Sequence, residues 1–385
     1  MLRLAYWLVL LASAVLLFVS VWILIPAPNG YVLPLTIGSP EVSPLLLAAA
    51  VVLWLLASIR ARKFDVARLA LVFALVSACL SLIPLIRVPM TLKRFDSAME
   101  PVRIPMQPGM RAHPVDIGDL FRPPGPATAK VTRGVEFARP DGVPLRLNIY
   151  QPFVTGTSPV LVQIYGGSWQ NGSPSSYEWF SRYFAERGYL VVAIDYRHAP
   201  QWRWPEQWDD VRRGLRWVAE HAMEYGGNPS RIGLVGRSAG SHLAMRVAFE
   251  EAPSAIRAVV NFYGPVDLTD GWRHPPRPDP LNVRRILETF LGGTPDQMPE
   301  RYRHASPITY ASGRVPPTLH IYGSRDRIVE ARFGRMIDAA LKKSGNTSVL
   351  LEIPWSDHAF DVLPNGLAGQ ISLYYTERFL AWALR

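Results

Sequence analysis

The chain has 385 residues and a mass of 43.1 kDa, with 49% hydrophobic and 19% charged residues, which excludes a disordered or collagen-like polymer. Its net charge of +10 divides unevenly: residues 1–94 hold 8 Lys/Arg and 2 Asp/Glu, whereas residues 95–385 hold 33 and 29. The larger part therefore has a nearly balanced surface, and a basic excess beside apolar runs reflects membrane topology rather than a nucleic-acid partner. The single Cys79 permits no intramolecular disulfide and no thiolate metal cluster.

Residues 4–25 are 22 positions without a charge, enough at 1.5 Å per residue to cross a hydrocarbon core of about 30 Å. Two further apolar runs follow at 42–59 and 69–86, the last interrupted by Pro84. An all-α transmembrane anchor of about three helices is expected over 1–94. Between the first two runs there is Glu41 and no Lys or Arg, whereas Arg60, Arg62, Lys63 and Arg68 crowd the second loop and Arg3 sits at the N-terminus. The positive-inside rule then places the N-terminus and the second loop in the cytoplasm, and three crossings put the remainder outside. Arg87, Lys93, Arg94 and Arg103 pull mildly the other way. Residues 95–130 carry prolines at 101, 105, 108, 114, 123, 124 and 126, which deny helix and ladder hydrogen bonds, and read as a spacer.

From 131 to 385 short β-rich runs alternate with amphipathic helices, the pattern of a mostly parallel sheet covered by helices on both faces. Strands are expected at 131–137 and 144–150, an antiparallel opening pair around Asp141-Gly142, then at 160–165, 190–195, 232–235, 256–262, 318–322 and 348–353. Ser175-Ser176-Tyr177-Glu178 has the form of a capping box ahead of a helix that Gly188 stops. Trp208, Val211, Leu215, Val218 and Ala222 recur at helical spacing before Gly226-Gly227, a core-packing stripe. Residues 265–315 interrupt the strand alternation, where a substrate-covering cap would insert.

Gly236-Arg237-Ser238-Ala239-Gly240 lies between the apolar strand at 232–235 and a helix-like run at 241–249. A sharp strand-to-helix turn of this kind lifts a serine hydroxyl off the sheet, and small residues two positions either side allow the close approach it needs. Serine is too weak an acid to attack a carbonyl unaided, so a base and an orienting carboxylate are required. Asp326 follows the strand at 318–322 and His358 follows the last strand, which gives the order Ser, acid, His on loops at one sheet edge. Asp361 is the alternative acid. Tyr165-Gly166-Gly167-Ser168-Trp169 closes the third strand, where turned peptide N–H groups, with that of Ala239, can receive an oxyanion. Neither G-x-G-x-x-G at this turn nor a G-x-x-x-x-G-K-[ST] motif is present, which argues against nucleotide binding.

Residues 130–385 resemble the α/β-hydrolase fold, and within it the hormone-sensitive-lipase-like and carboxylesterase group. Besides the serine turn, Asp195-Tyr196-Arg197-His198-Ala199-Pro200 resembles that group's D-Y-R-x-A-P segment, and Gly227-Asn228-Pro229-Ser230-Arg231-Ile232 its turn before the nucleophile strand. The resemblance implies Ser238 as nucleophile, Asp326 as acid, His358 as base, and Gly167, Ser168 and Ala239 as oxyanion donors. The sequence departs from H-G-G-G-[FW] at Tyr165 and Ser168, and from G-D-S-A-G-G at Arg237 and Ser241. Arg237 reads as a packing or surface residue rather than an anion site.

The expectation is thus an eight-stranded α/β hydrolase behind a multi-pass anchor. It would act on carboxylic esters, lipid or acylated-glycan, by an acyl-enzyme route without a metal or cofactor. His113, His198, His221, His242, His274, His304 and His320 show no H-x-H or H-E-x-x-H spacing. The rival readings are a serine peptidase or acyltransferase on the same fold, and a non-catalytic binding scaffold.

Overall fold

The first hundred residues form helices packed in the reverse sense to a water-soluble core. They are α1 (Leu2–Ser20), α2 (Leu33–Glu41), α3 (Ser43–Ser58) and α4 (Asp65–Met99). Where α1, α3 and α4 meet, most of the buried residues are small, among them Ser13, Ala50, Ala57, Ala70, Ala74 and Ser77, with Tyr6 and Leu16 of α1 the larger exceptions. Leu8, Leu11, Phe18, Val52, Leu55 and Leu75 stand exposed on the outside. Small residues within and large apolar ones without is the arrangement helices adopt against lipid tails. Leu4–Ile23 and Asp65–Val102 are each long and apolar enough to cross a bilayer, while α2 and α3 form a pair bent by 79°.

The computed structural model describes residues 2–59, 61, 63–107, 109–121, 129–154, 156–251 and 255–385. Arg60 and Arg62 of the basic loop and the prolines at 108, 123, 124 and 126 lie outside the described residues.

Eight strands form one sheet in the order β1-β2-β4-β3-β5-β6-β7-β8. These are β1 (Lys130–Ala138), β2 (Leu145–Gln151), β3 (Ser158–Ile164), β4 (Leu190–Ile194), β5 (Gly227–Arg237), β6 (Ile256–Phe262), β7 (Thr318–Gly323) and β8 (Ser348–Ile353). The two opening strands run antiparallel and all pairs from β4 to β8 are parallel. Every residue of β4 is buried, as the unbroken apolar run Leu-Val-Val-Ala-Ile requires of a strand covered on both faces. The helices are α5 (Glu178–Ala185), α6 (Glu206–His221), α7 (Ala239–Glu251), α8 (Leu268–Arg273), α9 (Val283–Leu291), α10 (Pro299–Ala305), α11 (Arg332–Lys343) and α12 (Leu367–Ala383). Helices α8, α9 and α10 occupy the expected insertion between β6 and β7. Because β3 and β5 to β8 point the same way, the loops that follow them share one edge.

Three local expectations are corrected and one helix is added. The first apolar helix ends at Ser20 and passes through a single 3-10 turn, Val21–Ile23, rather than reaching 25. The third does not stop at 86 but runs through Pro84 and Pro89 to Met99, so the spacer starts after Val102 rather than at 95. The final turns of α4 bury Phe95 and Met99 against the sheet domain, and Asp96 accepts from the Tyr375 hydroxyl at 2.9 Å. Helix α2 was not expected. Finally, Ser175 and Ser176 do not cap α5: Tyr177 precedes it in the left-handed region at φ +57°, and the Ser175 hydroxyl accepts from Asn148 Nδ2 instead. The spacer is laid along the domain, where the Arg111 and Asp116 amides donate to Glu377 and Gln370 of α12 at 2.9 and 2.7 Å.

Candidate active site

Strand β5 delivers Ser238 at φ +52°, a left-handed conformation that a non-glycine residue holds only when its surroundings impose it. Here the Ser238 amide donates to Phe262 O at 2.9 Å and its carbonyl accepts from His242 N at 3.1 Å. The glycines at 236 and 240 follow from space. A Cβ on Gly240 would lie 2.1 Å from Ile164 O, and one on Gly236 would lie 2.4 Å from the Ser241 Cα. No side chain fits where β3, β5 and α7 converge.

The loops after β7 and β8 bring two further groups to this turn. His358 Nε2 stands 3.1 Å from Ser238 Oγ, and His358 Nδ1 stands 2.7 Å from Asp326 Oδ2. The carboxylate cannot swing freely, because its other oxygen accepts from the amides of Ile328 and Val329, each at 2.8 Å. Burial alone would lower the imidazole's hold on a proton. The charge and hydrogen bond of Asp326, with Asp357 and Asp361 nearby, outweigh it and hold His358 above its ordinary value. A base with that bias takes up a proton from an attacking hydroxyl readily.

The loop at 166–169 lies against the same turn: a Cβ on Gly166 would lie 2.7 Å from Arg237 O and 3.2 Å from the Ser238 Cβ. Gly167, Ser168 and Trp169 all have positive φ, at +128°, +55° and +59°. Ala239, at the start of α7, adds an amide where the helix dipole favours negative charge. Ser168, Trp169, Ser238 and Ala239 form the floor of a narrow cleft. Its walls come from the α8–α9 insertion (Leu268, Val283, Ile286, Leu287), the β7–α11 loop (Ile328, Val329) and the first turn of α11 (Phe333). Among the described residues that line it, the one Lys or Arg, Arg332, is spent on Asp270, Glu330 and the His274 carbonyl, and the Asp267 carboxylate accepts from the Asp270 amide at the start of α8. The cleft accordingly suits an apolar group joined to a carbonyl.

The family model BD-FAE matches residues 147–341, just over half the chain and all of the sheet between β2 and α11. The chain belongs to the BD-FAE family. A probable carboxylic ester hydrolase, LipM of Mycobacterium tuberculosis, is 36% identical over 244 residues, covering 59% of this chain and 55% of LipM. The chain thus spans about half the length of that curated relative. The propionate-bound esterase Est2 of Thermogutta terrifontis superposes with a TM-score of 0.55 at 28% identity, over 66% of this chain and 93% of Est2. The same esterase phosphonylated by sarin matches at 26% identity and a TM-score of 0.54, over 67% and 94%. The sheet domain therefore has the α/β-hydrolase fold.

In this BD-FAE chain the sequence departures have structural reasons. Tyr165, in place of the expected His, donates from its hydroxyl to Asp195 Oδ1 at 2.5 Å, lies 2.9 Å from His198 Nε2 and stacks on Tyr196. Arg197 of the D-Y-R segment is buried on Asp210, with Glu206 and Asp141 around it. Arg237 is also buried: its Nε donates to Asp361 Oδ2 at 2.6 Å, and its guanidinium lies over the rings of Tyr177, Phe180 and Phe262. Asp361 also accepts from the Tyr263 hydroxyl, so this carboxylate is committed to Arg237 and not to His358. Replacing Asp361 with Asn should leave an unpaired buried guanidinium and cost about 3–5 kcal/mol. Thermal unfolding of the detergent-solubilised protein would show the loss, while surviving molecules keep most of their turnover. His242 is fully buried, accepting from Trp169 Nε1 at 3.2 Å and donating to Ala305 O at 2.7 Å. Burial pushes it down to about 3, which removes it as a second base.

Sequence reasoning missed the groups behind His358. The Asp357 carboxylate accepts from the His358 amide at 2.7 Å and from the Thr36 hydroxyl of α2 at 2.7 Å. Ser356 donates to Glu41 Oε1 at 2.8 Å. Nothing in the local pattern at 33–41 signals a partner more than three hundred residues away.

Proposed function

We propose that this chain is a membrane-anchored serine hydrolase that cleaves carboxylic esters of bilayer lipids through an acyl-enzyme. The observation that carries the reading is the unbroken line from Ser238 Oγ through His358 to Asp326 beneath an apolar cleft. His358 Nε2 takes the Ser238 proton as Oγ attacks the ester carbonyl. The amides of Gly167, Ser168 and Ala239 receive the oxyanion. His358 then protonates the leaving alcohol, and water activated by the same nitrogen releases the acid and restores Ser238. The D-Y-R-x-A-P segment and the serine turn support a place among hormone-sensitive-lipase-like esterases.

The lipid part rests on where the apolar helices end. The Leu24 carbonyl, just past α1, accepts from Arg325, next to Asp326. Arg87, where the apolar part of α4 gives way to charge, donates to Pro354 O on the His358 loop. Both ends meet the sheet edge that holds Ser238. Leu24 and Ile25 just past α1, Tyr31 before α2, Leu281 of the insertion and Val362 of the His358 loop are exposed apolar residues, which would suit an interface. The basic second loop supports an extracytoplasmic domain.

Two measurements test this. A fluorophosphonate is expected to label Ser238 in the folded wild type; failure to label would refute the serine mechanism. Reconstituted in vesicles, the protein is expected to turn over a long-chain ester carried in its own bilayer faster than the same ester in separate protein-free vesicles. Equal rates would remove the bilayer substrate and leave ester hydrolysis standing.

A further inference from the structure

Helix α2 has little reason to be a helix by itself. Its nine residues include Pro34, Gly38 and Pro40, yet Thr36 and Glu41 are buried. Their polar atoms are spent on the loop of the proposed base. Glu41 accepts from Ser356 Oγ at 2.8 Å and from the Ala368 amide at 2.6 Å, which seats α2 between the His358 loop and the start of α12. A Cβ on Gly366 would lie 2.7 Å from the Glu41 Cβ, so the seat has no slack. Thr36 donates to Asp357 Oδ2 at 2.7 Å, while Asp357 Oδ1 accepts from the amides of His358 at 2.7 Å and Arg327 at 3.4 Å. One carboxylate thus joins α2, the backbone of His358 and the residue after Asp326.

We propose that Thr36, in the N-terminal helical module, is a positioning residue for His358, acting through Asp357. The proposal rests on reading Ser238, His358 and Asp326 as the catalytic set. It makes α2 part of the active site rather than a bend between two apolar helices, because the hydroxyl fixes the carboxylate that fixes the base. A buried carboxylate without that donor would lose a charge-assisted hydrogen bond and the orientation that goes with it.

The electrostatic consequence has a definite sign. The titratable groups around His358 are Asp326 on the β7 loop, Asp357 and Asp361 on its own loop, Tyr263 after β6, whose ring centroid lies 4.6 Å from that of His358, and Glu41 behind Ser356. Arg325 and Arg327 flank Asp357, with Arg87 beyond them, and Arg237 is paired with Asp361. Burial pushes the Asp357 carboxyl up and the Thr36 hydroxyl holds it down; the Asp357 charge in turn helps His358 keep a proton. Removing the hydroxyl makes Asp357 neutral more of the time. His358 then gives up its proton at lower pH, and the acid limb of kcat/KM, where the base becomes protonated, moves downward.

The test uses the full chain in detergent with a water-soluble short-chain ester, comparing Thr36→Val, Thr36→Ser, Asp357→Asn and the Thr36→Val/Asp357→Asn double variant. Thr36→Val is expected to lower kcat about tenfold with little change in KM, as misplacement of a catalytic group does. It should also shift the acid limb to lower pH. Thr36→Ser should restore both, Asp357→Asn should shift the limb the same way, and the double variant should add little to Asp357→Asn. A Thr36→Val profile like wild type, or an equal loss at every pH that serine does not rescue, would overturn the proposal. If wild-type Ser238 resists the fluorophosphonate, the catalytic reading itself has failed; a silent Thr36→Val in a labelled enzyme defeats this inference alone.

Discussion

Ser238→Ala is expected to reduce kcat for a water-soluble carboxylic ester by about 10⁶-fold, leaving KM within a few-fold of wild type. In the proposed mechanism this hydroxyl forms the acyl bond, and among the described residues no other nucleophile lines the floor of the cleft with a base at hydrogen-bond distance. His358 Nε2 is aimed at this oxygen alone among the side chains it contacts. Residual turnover above solution hydrolysis should persist, because the amides at 167, 168 and 239 and the apolar walls are untouched. The backbone at 238 is strained by its surroundings rather than by the hydroxyl, so alanine should take the same conformation and the melting temperature should move little. Steady-state kinetics over a range of enzyme concentrations would check the loss. Turnover within tenfold of wild type would place the chemistry elsewhere.

Much of this arrangement was legible in the chain. Eight strands could be placed because a parallel sheet covered on both faces demands short apolar runs, and residues 190–194 or 256–262 have no other use in a water-exposed position. Ser238, Asp326 and His358 could be placed because each follows such a run and the chain order fixes which loops share an edge. Other features depended on contacts between distant segments. The α4 helix hides behind Pro84 and Pro89, which tolerate a helix only because its apolar face and its last turns are held by other helices. Helix α2 carries two prolines and a glycine, and its reason for existing is the polar surface at 356–368. The serine pair before α5 has the spacing of a cap, but Asn148 from a neighbouring strand takes one hydroxyl and the cap does not form. Arg237 shows the same limit, since the rings and the carboxylate that make its burial tolerable come from three separate segments.

The second large effect is expected at Asp326, where Asn should lower kcat by about 10⁴-fold although it is nearly isosteric. The reason lies in which oxygen does what. Oδ1 accepts from the amides of Ile328 and Val329, and those donors cannot turn away. An asparagine must therefore keep its carbonyl oxygen there and present its NH₂ group to His358 Nδ1. That nitrogen can then only accept, so the imidazole proton moves to Nε2. A protonated Nε2 donates to Ser238 Oγ and cannot take its proton. The loss of charge also removes what holds His358 above its ordinary value, so the acid limb should fall to lower pH as kcat collapses. Asp361→Asn provides the contrast: it breaks the pair with Arg237 and costs stability, but leaves the His358 tautomer intact. Kinetics and melting measured on both variants separate the two carboxylates. A collapse of kcat at 361 with near-normal turnover at 326 would reverse the assignment.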